Sequence, residues 1–106
     1  MQFEQLEHLV IQWAKDRQII PNSNPLSQSI KTLEEVTELI AALNKRDADE
    51  AMDAYGDVMV TLIIGSHLAG LNLMDCLTYA YDTIKDRKGY LNAAGVFVKE
   101  TDSDAL

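Results

Sequence analysis

Between Ala54 and Leu71 the chain reads AYGDVMVTLIIGSHLAGL, with no lysine or arginine and a single acid, Asp57. Wound as a helix, this stretch carries apolar residues on every side, and a helix greasy all round must be covered all round. It predicts an all-α fold with this helix at the centre. A membrane span is the other structure such a run permits. Asp57, Ser66, His67 and three glycines inside the run, and the absence of a second one, favour the core of a globular domain. With 106 residues the expected organisation is one domain, 1–106, with one core. Four helices of a lone chain of this size can hardly cover the central one, so at least a homodimer is expected.

The flanking segments supply the other helices. Phe3, Leu6, Val10, Trp13 and Ala14 recur at helical spacing from Gln2 to about Arg17. Gln18 to Ser27, QIIPNSNPLS, reads as a loop, with Ser27 or a neighbour capping a second helix that runs to about Lys45. Asp47 with Glu50 has the form of a capping box for the central, third helix, which makes Glu50 a helix-start residue rather than a ligand. Gly70 to Asn72 break the chain, and Asn72 with Asp75 repeats the cap for a fourth helix ending near Gly89. The expectation is a four-helix bundle. Residues from about 91 to 106 form a C-terminal extension, with an alternating stretch around Val96, Phe97 and Val98 and a frayed acidic end.

The net charge of −8 argues against a nucleic-acid or anionic-membrane surface, either of which needs a basic face. Cys76 alone permits no internal disulfide and reads as a small buried hydrophobe in a reducing compartment. The N-terminal MQFEQLEH has acid where a secretory leader carries positive charge, so the expected location is the cytoplasm.

The acids themselves are patterned. In LEEVTELIAAL, Leu33 to Leu43, an apolar stripe of Leu33, Val36, Ile40 and Leu43 is expected to face the core, with Glu35 and Glu38 one turn apart beside it. Such a pair alone can equally be a solvated face, with Lys31 and Glu35 as an i,i+4 ion pair. Asp53 and Asp57 on the apolar third helix change the balance, because an ionised carboxylate on a buried stripe needs a partner. Glu35 and Glu38 of the antiparallel neighbour converge on the same point. Four facing carboxylates repel unless a divalent ion sits among them, and hard oxygen donors suit Mg2+, with Mn2+ possible. Glu34 reads as a surface acid. Neither His8 nor His67 belongs to a Glu-x-x-His pair, which disfavours a di-iron bundle. Lys85, Arg87 and Lys88 before Gly89 suit the end of a helix dipole, and equally suit phosphate.

QSIKTLEEVTEL at Gln28 to Leu39, DAYGDVMVTL at Asp53 to Leu62, and IKDRKGY followed by GVFVKE resemble the MazG-like nucleotide pyrophosphohydrolases of the all-α NTP pyrophosphatase group. The resemblance runs from about Trp13 to Lys99. It implies Mg2+ bound by an EExxE segment, here Glu34, Glu35 and Glu38, and by an ExxD segment on the next helix. The second segment departs from the pattern, since Ala54 stands where the glutamate three residues before Asp57 would fall, and Asp53 is the proposed substitute. The implied reaction splits a nucleoside triphosphate between its α and β phosphates. The resemblance implies metal ligands Glu35, Glu38, Asp57 and Asp53, with Glu35 or Glu38 as the catalytic base. Lys31, Lys85 and Arg87 become phosphate contacts, and Trp13, Asn24 and Gln28 candidates for the base and sugar. It also implies a homodimer or a dimer of dimers.

Overall fold

The computed structural model describes residues 1–100. It is all-α apart from one small hairpin. Five helices, rather than the expected four, run in the order α1 (Phe3–Asp16), α2 (Ile19–Asn22), α3 (Pro25–Lys45), α4 (Ala48–Leu68) and α5 (Leu73–Ile84). The hairpin strands β1 (Gly89–Leu91) and β2 (Phe97–Lys99) follow. Contacts divide the chain into two compact units, Met1–Leu73 and Met74–Leu106. Among the described residues no single helix is long and apolar enough to cross a membrane.

The extra helix is a single turn, α2, inside the stretch expected to be loop. α3 also begins earlier than the sequence suggests. Asn24, not Ser27, is its cap: the Asn24 side-chain oxygen accepts from the Ser27 backbone N–H at 2.8 Å. Pro25 follows at the first helical position, where a missing N–H costs nothing. At the other end Arg46 adopts the left-handed conformation (φ 58°). Asp47 then caps α4, its carboxylate accepting from the Glu50 N–H at 3.0 Å, as the capping-box reading expects. Two residues therefore join α3 to α4, which forces them to lie antiparallel.

These two helices pack along their length, but not on the stripe expected. Leu33 is 67% exposed in the single chain and Ile40 and Leu43 are about half exposed, whereas Glu35 and Ala42 are buried. The face of α3 turned to α4 is Gln28, Thr32, Glu35, Leu39 and Ala42, at alternating four- and three-residue spacing. Opposite stand Gly65, Thr61, Asp57 and Ala54. Thr32 Oγ1 donates to Thr61 Oγ1 at 2.8 Å across the seam. Gly65 is small enough that a Cβ there would lie 3.2 Å from the Gln28 Cβ. Small and polar residues let the backbones approach, and Leu33, Ile40 and Leu43 are turned outward. α1 packs on α4 through a face that includes the buried Ala14 and Glu7. Glu7 Oε1 accepts from the Asn72 side-chain amide at 2.9 Å, which ties α1 to the turn after α4.

In the second unit α5 ends at Ile84 instead of near Gly89, so Lys85, Arg87 and Lys88 lie beyond the helix. Gly89 is not a helix terminator. It pairs with Lys99 in the antiparallel register Gly89↔Lys99, Tyr90↔Val98, Leu91↔Phe97, and a Cβ on it would collide with the Val98 carbonyl and the Phe97 ring. The connecting turn is held by the Asn92 side chain, which accepts from the Ala94 and Val96 N–H groups, both at 3.0 Å, with Gly95 at φ +78°. The region from about residue 91, expected to be partly disordered, is thus a hairpin as far as Lys99. The expected acidic fray at 101–106 lies outside the described residues.

The two candidate caps of α3 make different predictions for stability. Asn24→Ala should cost about 1 kcal/mol, the usual loss on removing a helix N-cap, measured by denaturant unfolding. Ser27→Ala should be close to neutral.

Candidate metal centre

The narrow seam brings three carboxylates together. Glu35 of α3, Glu38 one turn further on, and Asp57 of α4 each offer an oxygen, and the three lie within 4.8 Å of one another. Glu35 is 8% exposed, Asp57 is half-buried and Glu38 faces solvent. The register that places them is the one fixed by the Thr32–Thr61 bond, since Glu35 is one turn from Thr32 and Asp57 one turn from Thr61.

One oxygen of Glu35 is paired: Oε1 lies 3.4 Å from Lys31 Nζ, which is also 3.3 Å from Glu34 Oε2. The other, Oε2, is buried and accepts no hydrogen bond from any described residue. A buried carboxylate oxygen without a donor costs free energy that the fold does not recover internally. A hard divalent cation would remove this cost, and an all-oxygen donor set of this kind fits Mg2+ or Mn2+.

The titration of the neighbours expresses the same crowding. Burial raises the Asp57 carboxyl above its ordinary value, and the charges of Asp53 and Glu35 raise it further against the opposing pull of Lys31. Glu38 is raised as well, because a proton it takes up can be donated to Glu35, and because Glu35 is negative. Lys31 is raised by its bonds to Glu34 and Glu35.

The sequence-derived site residues are not all gathered here. Asp53 is exposed and stands outside the trio, but lines with Glu38 and Asp57 a cavity of about 300 Å3. Ala54, where the resemblance expects a glutamate, is buried in the seam and lines the same cavity. Gln28 is half-buried, its amide donating to Ser23 Oγ at 3.0 Å, and Asn24 serves as a cap. Trp13 is about half exposed on α1, with the Arg17 guanidinium 5.9 Å from its ring centre. Neither Gln28 nor Trp13 lines the acidic cavity. Lys85 and Arg87 belong to the second unit, where Lys85 pairs with Asp82 at 3.6 Å. Lys45 is the cation the sequence reading missed: it lines the cavity beside the carboxylates. Its signal was the seven-residue spacing Lys31, Glu38, Lys45 along one edge of α3.

Raised carboxyl pKa values in the folded state have a defined consequence for stability. The metal-free protein holds those protons more tightly than its unfolded chain does. The contribution of these two groups to stability is therefore fully present below the ordinary carboxyl range, and is lost as pH rises through the elevated values of Glu38 and Asp57. Melting temperatures measured across that range in a chelator should decline, and added Mg2+ should abolish the decline. Asp57→Asn should flatten the metal-free profile and remove the Mg2+-induced rise.

Residues 3–86 match the family described as phosphoribosyl-ATP pyrophosphohydrolase, which covers most of the chain. A protein of Haemophilus phage HP1, described as an uncharacterised 18.2 kDa protein in the rep-hol intergenic region, is 38% identical over 61 residues. That match covers 58% of this chain and 37% of the phage protein, so the chain spans well under half the length of this curated relative. No solved structure matches. With an all-α fold, the EExxE segment and the facing aspartate already in view, the chain belongs to the phosphoribosyl-ATP pyrophosphohydrolase family, within the MazG-like all-α NTP pyrophosphatase superfamily.

Proposed function

We propose that this protein is a magnesium-dependent nucleoside triphosphate pyrophosphohydrolase that adds water across the α–β phosphate link, releasing a nucleoside monophosphate and pyrophosphate. Family membership supports the reaction class, hydrolysis of a pyrophosphate bond in a nucleotide. The observation that carries the rest is the buried Glu35 Oε2, which has no hydrogen-bond partner and lies in a three-carboxylate cluster. A cation at that point would satisfy this atom.

Glu35, Glu38 and Asp57 would hold the ion, with Asp53 the next donor along the cavity wall. When bound, the ion draws charge from the phosphate oxygens and lowers the proton affinity of water. The chain's own part is positional. Lys31 fixes Glu35 in a single orientation, and either Glu35 or Glu38 takes the proton that the attacking water gives up. The new bond joins water oxygen to phosphorus, the bridging P–O bond breaks, and pyrophosphate leaves with the electron pair. Lys31 is a phosphate contact of this reading, and Gln28 and Trp13 its base and sugar contacts.

A homodimer belongs to the same reading. α3 leaves Leu26, Ile30, Leu33 and Ile40 exposed, and α4 leaves Met52, Tyr55, Met59 and Leu62 exposed. The α4 set recurs at three- and four-residue spacing and the α3 set at four, three and seven, so each forms a stripe along its helix. Helix stripes of this kind are covered by a second pair of helices in a bundle. One alternative has an observation in its favour. The buried methyl of Ala54, in place of an expected carboxylate, suits a non-catalytic helical interaction or regulatory module that keeps the fold, or a nucleotide sensor that binds without turnover.

Incubation with a panel of nucleoside triphosphates and Mg2+ should release pyrophosphate and monophosphate in equal amounts, with none in chelator. Glu35→Gln and Glu38→Gln should each lower the rate by roughly a hundredfold or more, in the range for loss of an acid–base group. Ligand-induced stabilisation with no product would select the sensor instead. Light scattering at micromolar concentration should give at least a dimer, and Leu33→Asp should shift it toward monomer.

A further inference from the structure

Resting on the reading above, we infer that Lys45 holds the pyrophosphate end of the substrate, so that the triphosphate runs along the α3 edge from the carboxylates toward the helix C-terminus. Lys31, Glu38 and Lys45 are seven residues apart in turn, which sets them on one edge of α3. The two lysines bracket the carboxylates over a rise of about 21 Å, at 1.5 Å per residue. They are not equivalent. Lys31 is engaged by two carboxylates at 3.3 and 3.4 Å, one of them the buried Glu35. Among the described residues Lys45 has one ion-pair partner, Glu50 Oε2 at 3.5 Å, and both side chains are more than half exposed.

An exposed ion pair of that kind contributes little, so exchanging Glu50 for a phosphate oxygen costs little. A phosphate oxygen is also the stronger acceptor for an ammonium group, because it carries more charge. The cavity that Lys45 shares with Glu38 and Asp57, about 300 Å3 and floored by Ala41, Ala42 and Ala54, has room for a pyrophosphate group. Glu38, Glu50, Asp53 and Asp57, which also line it, would repel bare phosphate. A triphosphate, however, brings Mg2+ on its own oxygens, and such an ion is readily completed by one or two carboxylates. The uncharged nucleoside gains nothing from this acidic, lysine-bearing end. It is therefore directed the other way, toward the start of α3.

The two reaction products separate this assignment from the rest of the function, because each can be bound without turnover. Titrating the full-length protein in Mg2+ with inorganic pyrophosphate and, separately, with nucleoside monophosphate reads the two ends of the site. Lys45→Met should weaken pyrophosphate binding roughly tenfold or more, the loss expected for a charge-assisted bond, and leave monophosphate binding and melting temperature unchanged. Lys45→Arg should retain most of the affinity, and Glu50→Gln, which releases Lys45, should increase it. Unchanged pyrophosphate affinity in Lys45→Met, or equal loss for both products, overturns the Lys45 assignment while leaving the pyrophosphohydrolase reading intact. Failure of the unaltered protein to bind pyrophosphate at all overturns both.

Discussion

The closeness of α3 and α4 is the constraint on which the rest of the structure depends. Carboxylates on separate helices meet within 4.8 Å only if nothing bulky stands between the backbones. Ala42, Ala54 and Gly65 meet that requirement, and the Thr32–Thr61 hydrogen bond fixes the register. The cost is hydrophobic. Buried apolar surface stabilises at about 25 cal/mol per Å2, and a seam of methyls and hydroxyls buries little of it. The largest buried apolar side chains among the described residues are Ile63 and Ile64 of α4. A chain built this way keeps its aliphatic surface for other faces, and its most intimate contact is devoted to chemistry.

The electrostatics of the centre follow from that geometry. Glu35 is drawn into the seam by its position on α3, and once there it raises the proton affinity of both Glu38 and Asp57. Without a cation the folded state carries this repulsion as a standing penalty, relieved only by protons or by Lys31. A ligand that binds only the folded state stabilises it by mass action. Metal binding, fold stability and the ionisation of any catalytic base are thus aspects of one interaction, and a change at Glu35 alters all three together.

How much of this was legible in the sequence depends on how local the cause was. Helix existence, the Asp47 cap and the convergence of Glu35, Glu38 and Asp57 follow from spacing within about ten residues and from the antiparallel return of a short link. The orientation of α3 was misjudged for a definite reason. Apolar periodicity identifies a face that wants covering, but not which neighbour covers it, and Leu33 and Ile40 are not covered by their own chain. The polar stripe through Gln28, Thr32 and Glu35 is the one that meets α4. In SNPLS both Asn24 and Ser27 are good caps, and the proline between them decides, since its ring fits the first turn of a helix and not the middle. Gly89 was misread because its requirement is non-local: the Phe97 ring eight residues on occupies the space where a side chain would be.

Ala54 shows how a departure from a pattern can be read physically. Its methyl is buried where the familiar arrangement has a carboxylate, and the nearest acid, Asp53, is one position round the helix and in solvent. A carboxylate in place of the Ala54 methyl would add a further negative charge to a seam in which Glu35 is already buried and Asp57 half-buried. The alanine thus spares a cavity lined by Glu38, Glu50, Asp53 and Asp57 one more repulsive charge, a condition that favours the approach of a polyanion to an acidic protein of net charge −8.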